Sequence, residues 1–426
     1  MVAAVVIFLV LILIGTPIAV VMVMSGLGGA VSLGGIDFLG IVAERMFSGV
    51  SGYLLMAIPY FIFTAELMNR AGLTERLIAF NNALLGRIRG ALSHVNIAVS
   101  LFFSGLTGAA ITDTVAIGKI MIPAMKRQGY TPEYAAAVTA CSSIIGPIIP
   151  PSIVMIIYAS ILPNASVLQL FAAGILPGLL MTVALLITSA ILAWYYKFPR
   201  YEDTNLRAAM RAFLPTLPAL LVPIIILGGI LGGITTVTEA SAFAAIYTVL
   251  LGVFAYRTLS MKAIWDSLVA TVQFSGMVFF LLAASTVLGW FVTRSGIARE
   301  GASIIATVST DPTVQIMLVN ALLILVGMVL DVLPALVVVG PVLVPAMMQL
   351  GFDPLHFAMV MILTLNVANI TPPVGMTLMT ATQIAGVPYE RAIMASLPFF
   401  VTHFVVIVIV SLWPGFVLWL PNLLMN

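Results

Sequence analysis

Apolar runs near the ~20-residue length of a bilayer-spanning helix follow one another along the chain, separated by short polar, glycine or proline breaks. Residues 3–15 and 17–34 read as two short spans split at Gly15-Thr16-Pro17. Residues 34–49 are weaker and partly amphipathic, carry Glu44 and Arg45, and read as a segment lying along an interface. Residues 52–69 span and end at Arg70. Two shorter apolar arms, 91–104 and 108–125, meet at Ser104-Gly105-Leu106-Thr107-Gly108. Arg70, Arg76, Arg87 and Arg89 precede the pair, and Lys126 and Arg127 follow it. Positive charge at both outer ends predicts two cytoplasmic ends, hence a re-entrant hairpin at about 91–127.

The next run, 134–160, is interrupted by Gly146-Pro147-Ile148-Ile149-Pro150-Pro151-Ser152. Prolines lack the N–H and crowd the preceding turn, so a helix cannot run through this stretch. At membrane depth such a break survives only where protein covers it or where it lines a watery cavity. Residues 168–196, 214–230, 237–256 and 268–292 cross, and the Lys197–Arg211 segment is the clearest cytoplasmic loop. It reads either as an interfacial helix bridging two halves or as a topogenic loop. A second hairpin at about 313–349, a second broken helix at 357–384 turning at Asn366–Pro373, and a span at 393–420 complete the chain, giving ten crossings and two hairpins.

The second hairpin and broken helix repeat the first. A shift of 222 residues lays Ile122-Pro123-Ala124-Met125 on Val344-Pro345-Ala346-Met347, Gly129-Tyr130-Thr131-Pro132 on Gly351-Phe352-Asp353-Pro354, and Pro150-Pro151 on Pro372-Pro373. Upstream the shift is 224, placing Asn69-Arg70-Ala71-Gly72-Leu73 on Thr293-Arg294-Ser295-Gly296-Ile297; downstream it is 221, placing Leu176-Pro177 on Leu397-Pro398. Matching glycines and prolines mark an internal duplication. Five crossings separate the hairpins, and an odd number inverts the second copy. The expected fold is therefore an all-α polytopic membrane protein of two inverted repeats: 1–196, a connecting segment 197–212, and 213–426.

Composition agrees. Apolar residues make up 62% and charged residues 8%, outside the range of a soluble domain. A net charge of +2 gives no reason to expect a nucleic-acid partner. The single cysteine, Cys141, excludes an internal disulfide or cysteine-based metal cluster. The first fifteen residues lack a basic n-region and a cleavage site, so they read as a retained helix. No G-x-x-x-x-G-K loop is present, which argues against ATP hydrolysis by this chain.

Candidate chemistry concentrates at the breaks. Interrupted helices expose free carbonyls on one side and free N–H groups on the other, and with hydroxyl and amide oxygens these suit a sodium-like cation. Ser104, Gly105, Thr107, Ser143, Gly146 and Pro150 form one candidate set, and Gly327, Asp331, Asn366, Asn369 and Thr371 the other. The competing reading is that they only satisfy backbone bonds in kinked helices. Asp113 and Asp331 are intramembrane carboxylates, able to ligate an ion, carry a proton or orient a break; for Asp113 a structural partner such as Lys119 is the alternative. Thr112, Asp113, Ser152 and Thr377 are assigned to substrate binding or coupling. Glu66 near Arg70 reads as a cap or pair, and Glu239 as a first-turn cap. His94, His356 and His403 lack metal-ligand spacing. The lack of a catalytic constellation and the duplicated midplane breaks weigh against a membrane enzyme or a scaffold with no transport role.

The block Gly105–Ala110, Asp113-Thr114, Pro123–Met125, Gly129–Ala137, Gly146–Ser152 and Asn366–Gly375 resembles the large membrane subunit of tripartite ATP-independent periplasmic (TRAP) transporters, over essentially the whole chain. The resemblance implies an elevator-type ion-transporter architecture in a bacterial or archaeal cytoplasmic membrane, in which hairpins and broken helices move against a static scaffold. It implies a small four-helix membrane subunit, a periplasmic substrate-binding protein and two or more Na+ ions driving uptake of an organic anion, in the sialic acid or C4-dicarboxylate class. Residue 1 begins directly in a span, so the small subunit is expected as a separate chain. The sodium sites would fall on the two break sets above, with substrate between the tips. No arginine lies near either tip, so carboxylate recognition would rest on hydroxyls, amides, backbone N–H groups and the ions. The alternative is a stand-alone sodium- or proton-coupled carboxylate symporter.

Overall fold

The structure is a computed structural model that describes residues 2–35, 39–85, 88–107, 109–161, 166–198 and 206–425, with backbone alone at 2, 33–34, 39, 104–107, 206–212 and 425. Among the described residues the regular elements are all helical. α1 (Val2–Leu13) and α2 (Ile18–Gly34) part at Gly15, whose φ of 76° no helix accommodates, and at Pro17. α3 (Leu39–Ser48) makes a 57° bend with the helix that follows, through a short turn at Tyr53–Met56 into α4 (Ala57–Arg70). α5 (Leu73–Leu85) leads to the first hairpin, α6 (Ala91–Thr107) and α7 (Ala110–Arg127). The first broken helix is α8 (Pro132–Ser143) and α9 (Ile153–Ile161), followed by α10 (Val167–Tyr195).

α11 (Leu206–Leu231), α12 (Val237–Leu250), α13 (Met261–Ser295) and α14 (Ile297–Val308) precede the second hairpin, α15 (Pro312–Gly327) and α16 (Val332–Gln349). α17 (Pro354–Ala368) and α18 (Met376–Ala385) form the second broken helix, and α19 (Tyr389–Leu412) and α20 (Pro414–Met425) end the chain. Six described helices are long and apolar enough to cross a membrane, or seven if the bent pair at α3–α4 counts as one span. α16 is among the six although it is one arm of a hairpin, so length and hydropathy alone do not separate arms from spans.

Local chemistry explains the shared plan of the two halves. Gly129 and Gly351 hold φ of 85° and 89°, and each is followed by a cap and a proline at the first helical position: Thr131 Oγ1 accepts from Tyr134 N, and Asp353 Oδ1 accepts from His356 N at 2.8 Å. Gly72 and Gly296, with φ of 76° and 77°, end α4 and α13 and start the short helices α5 and α14. The Pro150–Pro151 and Pro372–Pro373 bonds, also matched by the shift, are both cis.

The broken helices form the core. Every residue from Tyr134 to Ser143, and from His356 to Ala368, is buried. A helix buried all round has no solvent or lipid face, and the alanines of α8 let neighbours approach closely. α8 packs against α6, α7, α18 and α19; α17 packs against α15, α16 and α19. The halves interlock, α18 lying on α7 and α8 while α9 lies on α16. A second group, α4 with α12 and α13, α5 with α11, and α2 with α1, α3 and α13, flanks this core.

Several sequence expectations shift. α6 stays helical to Thr107, so the first tip is narrower than a break at 104–108; Gly108 lies outside the described residues. α17 runs through Asn366 to Ala368, and the second turn starts at Asn369. The expected span 393–420 breaks at Trp413, after which Pro414 opens α20. α5 and α14 were not foreseen, because neither has the length of a span. The connecting segment is outside the described residues at 199–205.

Candidate functional site

The second break carries the clearest oxygen cluster. Asp331 occupies the N-cap position of α16 without capping it through its side chain. Instead its Oδ1 accepts from Asn369 Nδ2 at 2.9 Å. One turn earlier, Asn366 Nδ2 donates to the Ile362 carbonyl at 2.7 Å. With both amide nitrogens facing acceptors, the orientation of each amide is fixed by its partner. The consequence is that Asn366 Oδ1 and Asn369 Oδ1 are buried without a hydrogen-bond partner, in residues 0% and 1% exposed. Buried polar atoms are nearly always satisfied, so two orphaned carbonyl oxygens in residues that line one cavity with a carboxylate call for an electron-poor partner. The C-terminal end of α17 adds its free backbone carbonyls. Thr371 Oγ1 donates to the Val367 carbonyl at 2.8 Å, leaving its lone pairs available. Thr377 N bonds the Asn369 carbonyl at 3.2 Å, and Thr377 Oγ1 is another buried oxygen without a partner. Gly327 ends α15 where a Cβ would stand 2.6 Å from that of Ala368, so the arm meets the break only because glycine is there.

The first break is built differently. Asp113 is fully buried on α7, and a Cβ on Gly146 would overlap its Oδ2, so carboxylate and break are in contact. Lys119 is exposed. Ser143 ends α8 and donates to the Thr139 carbonyl at 2.7 Å; Ser152 donates to the Pro147 carbonyl at 2.6 Å and accepts from Met155 N at 3.4 Å. Pro150 sits at the far end of the break, and Thr114 Oγ1, next to Asp113 in the chain, is buried without a partner. The side chains of Ser104, Gly105 and Thr107 lie outside the described residues.

Under the 222-residue shift Asp331 corresponds to Ala109 and Asp113 to Ala335, so the repeats share a backbone plan but place their carboxylates one helical turn apart. The buried asparagines are matched. Ser142 Oγ donates to Asn96 Oδ1 at 3.3 Å, and Thr364 Oγ1 donates to Asn320 Oδ1 at 3.0 Å. Each amide nitrogen then reaches further: Asn96 to Thr139 Oγ1 at 2.7 Å, Asn320 to Ser411 Oγ at 2.8 Å. These clamps tie the first arm of each hairpin to its broken helix. Sequence reading passed over them, although the 224-residue shift pairs Asn96 with Asn320.

Between the tips lies a cavity of about 230 Å³, with Thr112 and Ala109 on the first side, Pro147 from the first break, and Asp331, Asn366 and Asn369 on the second. Among the described residues, no lysine or arginine lines it. It shares Ala109, Thr112, Ile153, Phe274 and Met277 with a wider vestibule of about 390 Å³ reaching Gln273 and Glu66. Glu66 meets Arg70 at 3.7 Å, and Arg70 meets Asp266 at 3.6 Å, tying α4 to α13 at the mouth. Glu239 closes a capping box with Thr236, and the three histidines contact backbone carbonyls.

Residues 5–416 match the family model described as "Tripartite ATP-independent periplasmic transporter, DctM component". The chain is 36% identical over 392 residues to a sialic acid TRAP transporter large permease protein of Vibrio cholerae, covering 92% of this chain and 91% of the relative. It is 33% identical over 399 residues to a C4-dicarboxylate TRAP transporter large permease protein of Pseudomonas aeruginosa, covering 93% of each. Among solved structures, the Alcanivorax borkumensis YdaH transporter superposes with a TM-score of 0.69 over 96% of this chain and 98% of that one, at 14% identity, a likeness of fold. Family, helices and fold agree: the chain belongs to the DctM family, the large permease component of tripartite ATP-independent periplasmic transporters, and is a multi-pass protein of the bacterial inner membrane.

Proposed function

We propose that the chain drives sodium-coupled uptake of an organic anion handed over by a periplasmic binding protein, with a small four-helix membrane subunit beside the flanking helices. The observation that carries this reading is the pair of buried, partnerless Asn366 and Asn369 oxygens in residues that line the same cavity as Asp331. Hard monovalent cations take carbonyl, amide and carboxylate oxygens, and unwound helix ends at mid-membrane supply them. Asp331, Asn366, Asn369 and Thr371, with Gly327 allowing close approach, would hold one ion. Ser104, Gly105, Thr107, Ser143, Gly146 and Pro150 would hold another, with Asp113 behind Gly146. The substrate would occupy the cavity between the tips, against Thr112 and the N-terminus of α9, which favours negative charge, while Ser152 and Thr377 are buried outside that lining and would act on the breaks behind it. Sodium supplies the positive charge that the cavity's own side chains lack.

Sodium binding would order both tips, and the hairpin and broken-helix body would then move against α4 and α13 as an elevator. A ligand shifts such an equilibrium only by its differential affinity for the two states, and the oxygen clusters provide that difference. Relatives named for sialic acid and C4-dicarboxylate transport support the substrate class. The test is uptake into proteoliposomes holding this chain and its small subunit, with N-acetylneuraminate and succinate offered through the binding protein under an imposed sodium gradient. Uptake needing both sodium and the binding protein is expected. Uptake without the binding protein would favour a stand-alone symporter, and uptake indifferent to sodium would remove the coupling.

A further inference from the structure

A second cavity, of about 410 Å³, lies at the far end of the helices that line the first. Three helices are shared. α9 gives Ile153 to the inner cavity and Ile161 to this one; α16 gives Val332 and then Pro341 and Pro345; α13 gives Phe274 and Met277 and then Ser285 to Thr293. At 1.5 Å per residue the two ends are about 12–20 Å apart. The fourth wall is α3, which presents Arg45 and Ser48. Arg45 is the one charged residue that lines it, is exposed, and forms no ion pair among the described residues.

The hydroxyls around it are oriented. Ser48 Oγ donates to the Arg45 carbonyl at 3.0 Å, Ser285 Oγ to that of Leu282 at 2.8 Å and Thr293 Oγ1 to that of Gly289 at 2.8 Å, while Thr286 Oγ1 shares its proton between the Arg45 and Ala283 carbonyls, each at 2.8 Å. Their protons are committed, so toward the cavity they are acceptors. A ligand would need negative charge for the guanidinium and O–H or N–H donors for the hydroxyl oxygens. The wider vestibule on the other side has the opposite character, its one charged lining residue being Glu66.

We propose that this crevice is an entry subsite for a hydroxylated carboxylate, with Arg45 taking the carboxylate and the oriented hydroxyls accepting from the ligand's own O–H groups. The proposal rests on the transport reading above, since it makes the crevice the stop before the cavity between the tips. It provides, on the static side, the cation that both tips lack.

The test uses the single cysteine: Cys141 is buried, so a Ser48→Cys variant carries one accessible thiol. In zwitterionic lipid nanodiscs, its labelling by an anionic methanethiosulfonate is followed with N-acetylneuraminate, with mannitol, or with phosphatidylglycerol added. The expected result is slowing by N-acetylneuraminate and not by mannitol, lost when Arg45→Gln is added. Slowing that survives Arg45→Gln, no slowing at all, or slowing by phosphatidylglycerol alone would overturn the subsite. Labelling needs no transport, so it judges this proposal even if sodium coupling fails. In proteoliposomes Arg45→Gln should raise the KM for uptake about tenfold, the scale of one charge-assisted contact, with half-saturating sodium and binding-protein docking unchanged and partial rescue by Arg45→Lys. An unchanged KM would count against it.

Discussion

Asn369 turns its amide nitrogen onto Asp331 Oδ1 at 2.9 Å, and that one bond leaves Asn369 Oδ1 buried with no partner. An isosteric Asp331→Asn change keeps an acceptor for Asn369 and removes the charge. Half-saturating sodium in uptake should rise by at least about tenfold, equivalent to 1.4 kcal/mol of lost ion binding. Melting in sodium-free buffer should stay close to that of the parent. An unchanged sodium dependence would take Asp331 out of the site.

Gly327 lets α15 touch the second break. A Cβ there would sit 2.6 Å from that of Ala368, so Gly327→Ala should cost about 1–3 kcal/mol through overpacking. Pairing it with Ala368→Gly removes the clashing atom and should return most of the melting temperature. Failure of that rescue would mean that the glycine serves another purpose.

The Asn320–Thr364 and Asn96–Ser142 clamps bind hairpin arms to broken helices in both repeats. Hydrogen bonds between membrane helices average about 0.6 kcal/mol and reach about 1.7 kcal/mol. Double-mutant cycles with Asn320→Ala and Thr364→Val, and with Asn96→Ala and Ser142→Ala, should give coupling in that range in each repeat. Coupling in one repeat alone would show that the matched geometry is not matched energetically.

The Glu66–Arg70–Asp266 set is partly exposed, with side chains 29–42% accessible and contacts of 3.6–3.7 Å. Such pairs contribute less than about 1 kcal/mol. Glu66→Gln should therefore leave the melting temperature nearly unchanged, and a large drop would reveal a structural role that the geometry does not predict.

The sequence carried most of the fold because its punctuation is chemical. Gly129 and Gly351, Pro132 and Pro354, and the two Pro-Pro pairs stop and restart helices by steric rules that do not depend on the surroundings. What it left hidden depends on packing. α5 and α14 follow left-handed glycines, Gly72 and Gly296, which match under the shift but do not by themselves show that a short helix follows. Asn96 and Asn320 are ordinary polar residues until the fold brings Ser142 and Thr364 onto them. The acidic groups were visible, but that Asp113 lies against Gly146 while Asp331 is held by Asn369 follows only from the way each hairpin meets its break.

The most direct measurement is thermal unfolding of the purified transporter across a sodium titration, with potassium as control, for the parent chain and for Asp331→Asn combined with Asn369→Leu. A bound ion stabilises the folded state by about 2.7 kcal/mol at one hundred times its Kd. Sodium-specific stabilisation is expected in the parent, shrinking in the double variant by the share of the second site. Equal stabilisation by potassium, or a sodium response that the double variant keeps in full, would contradict it.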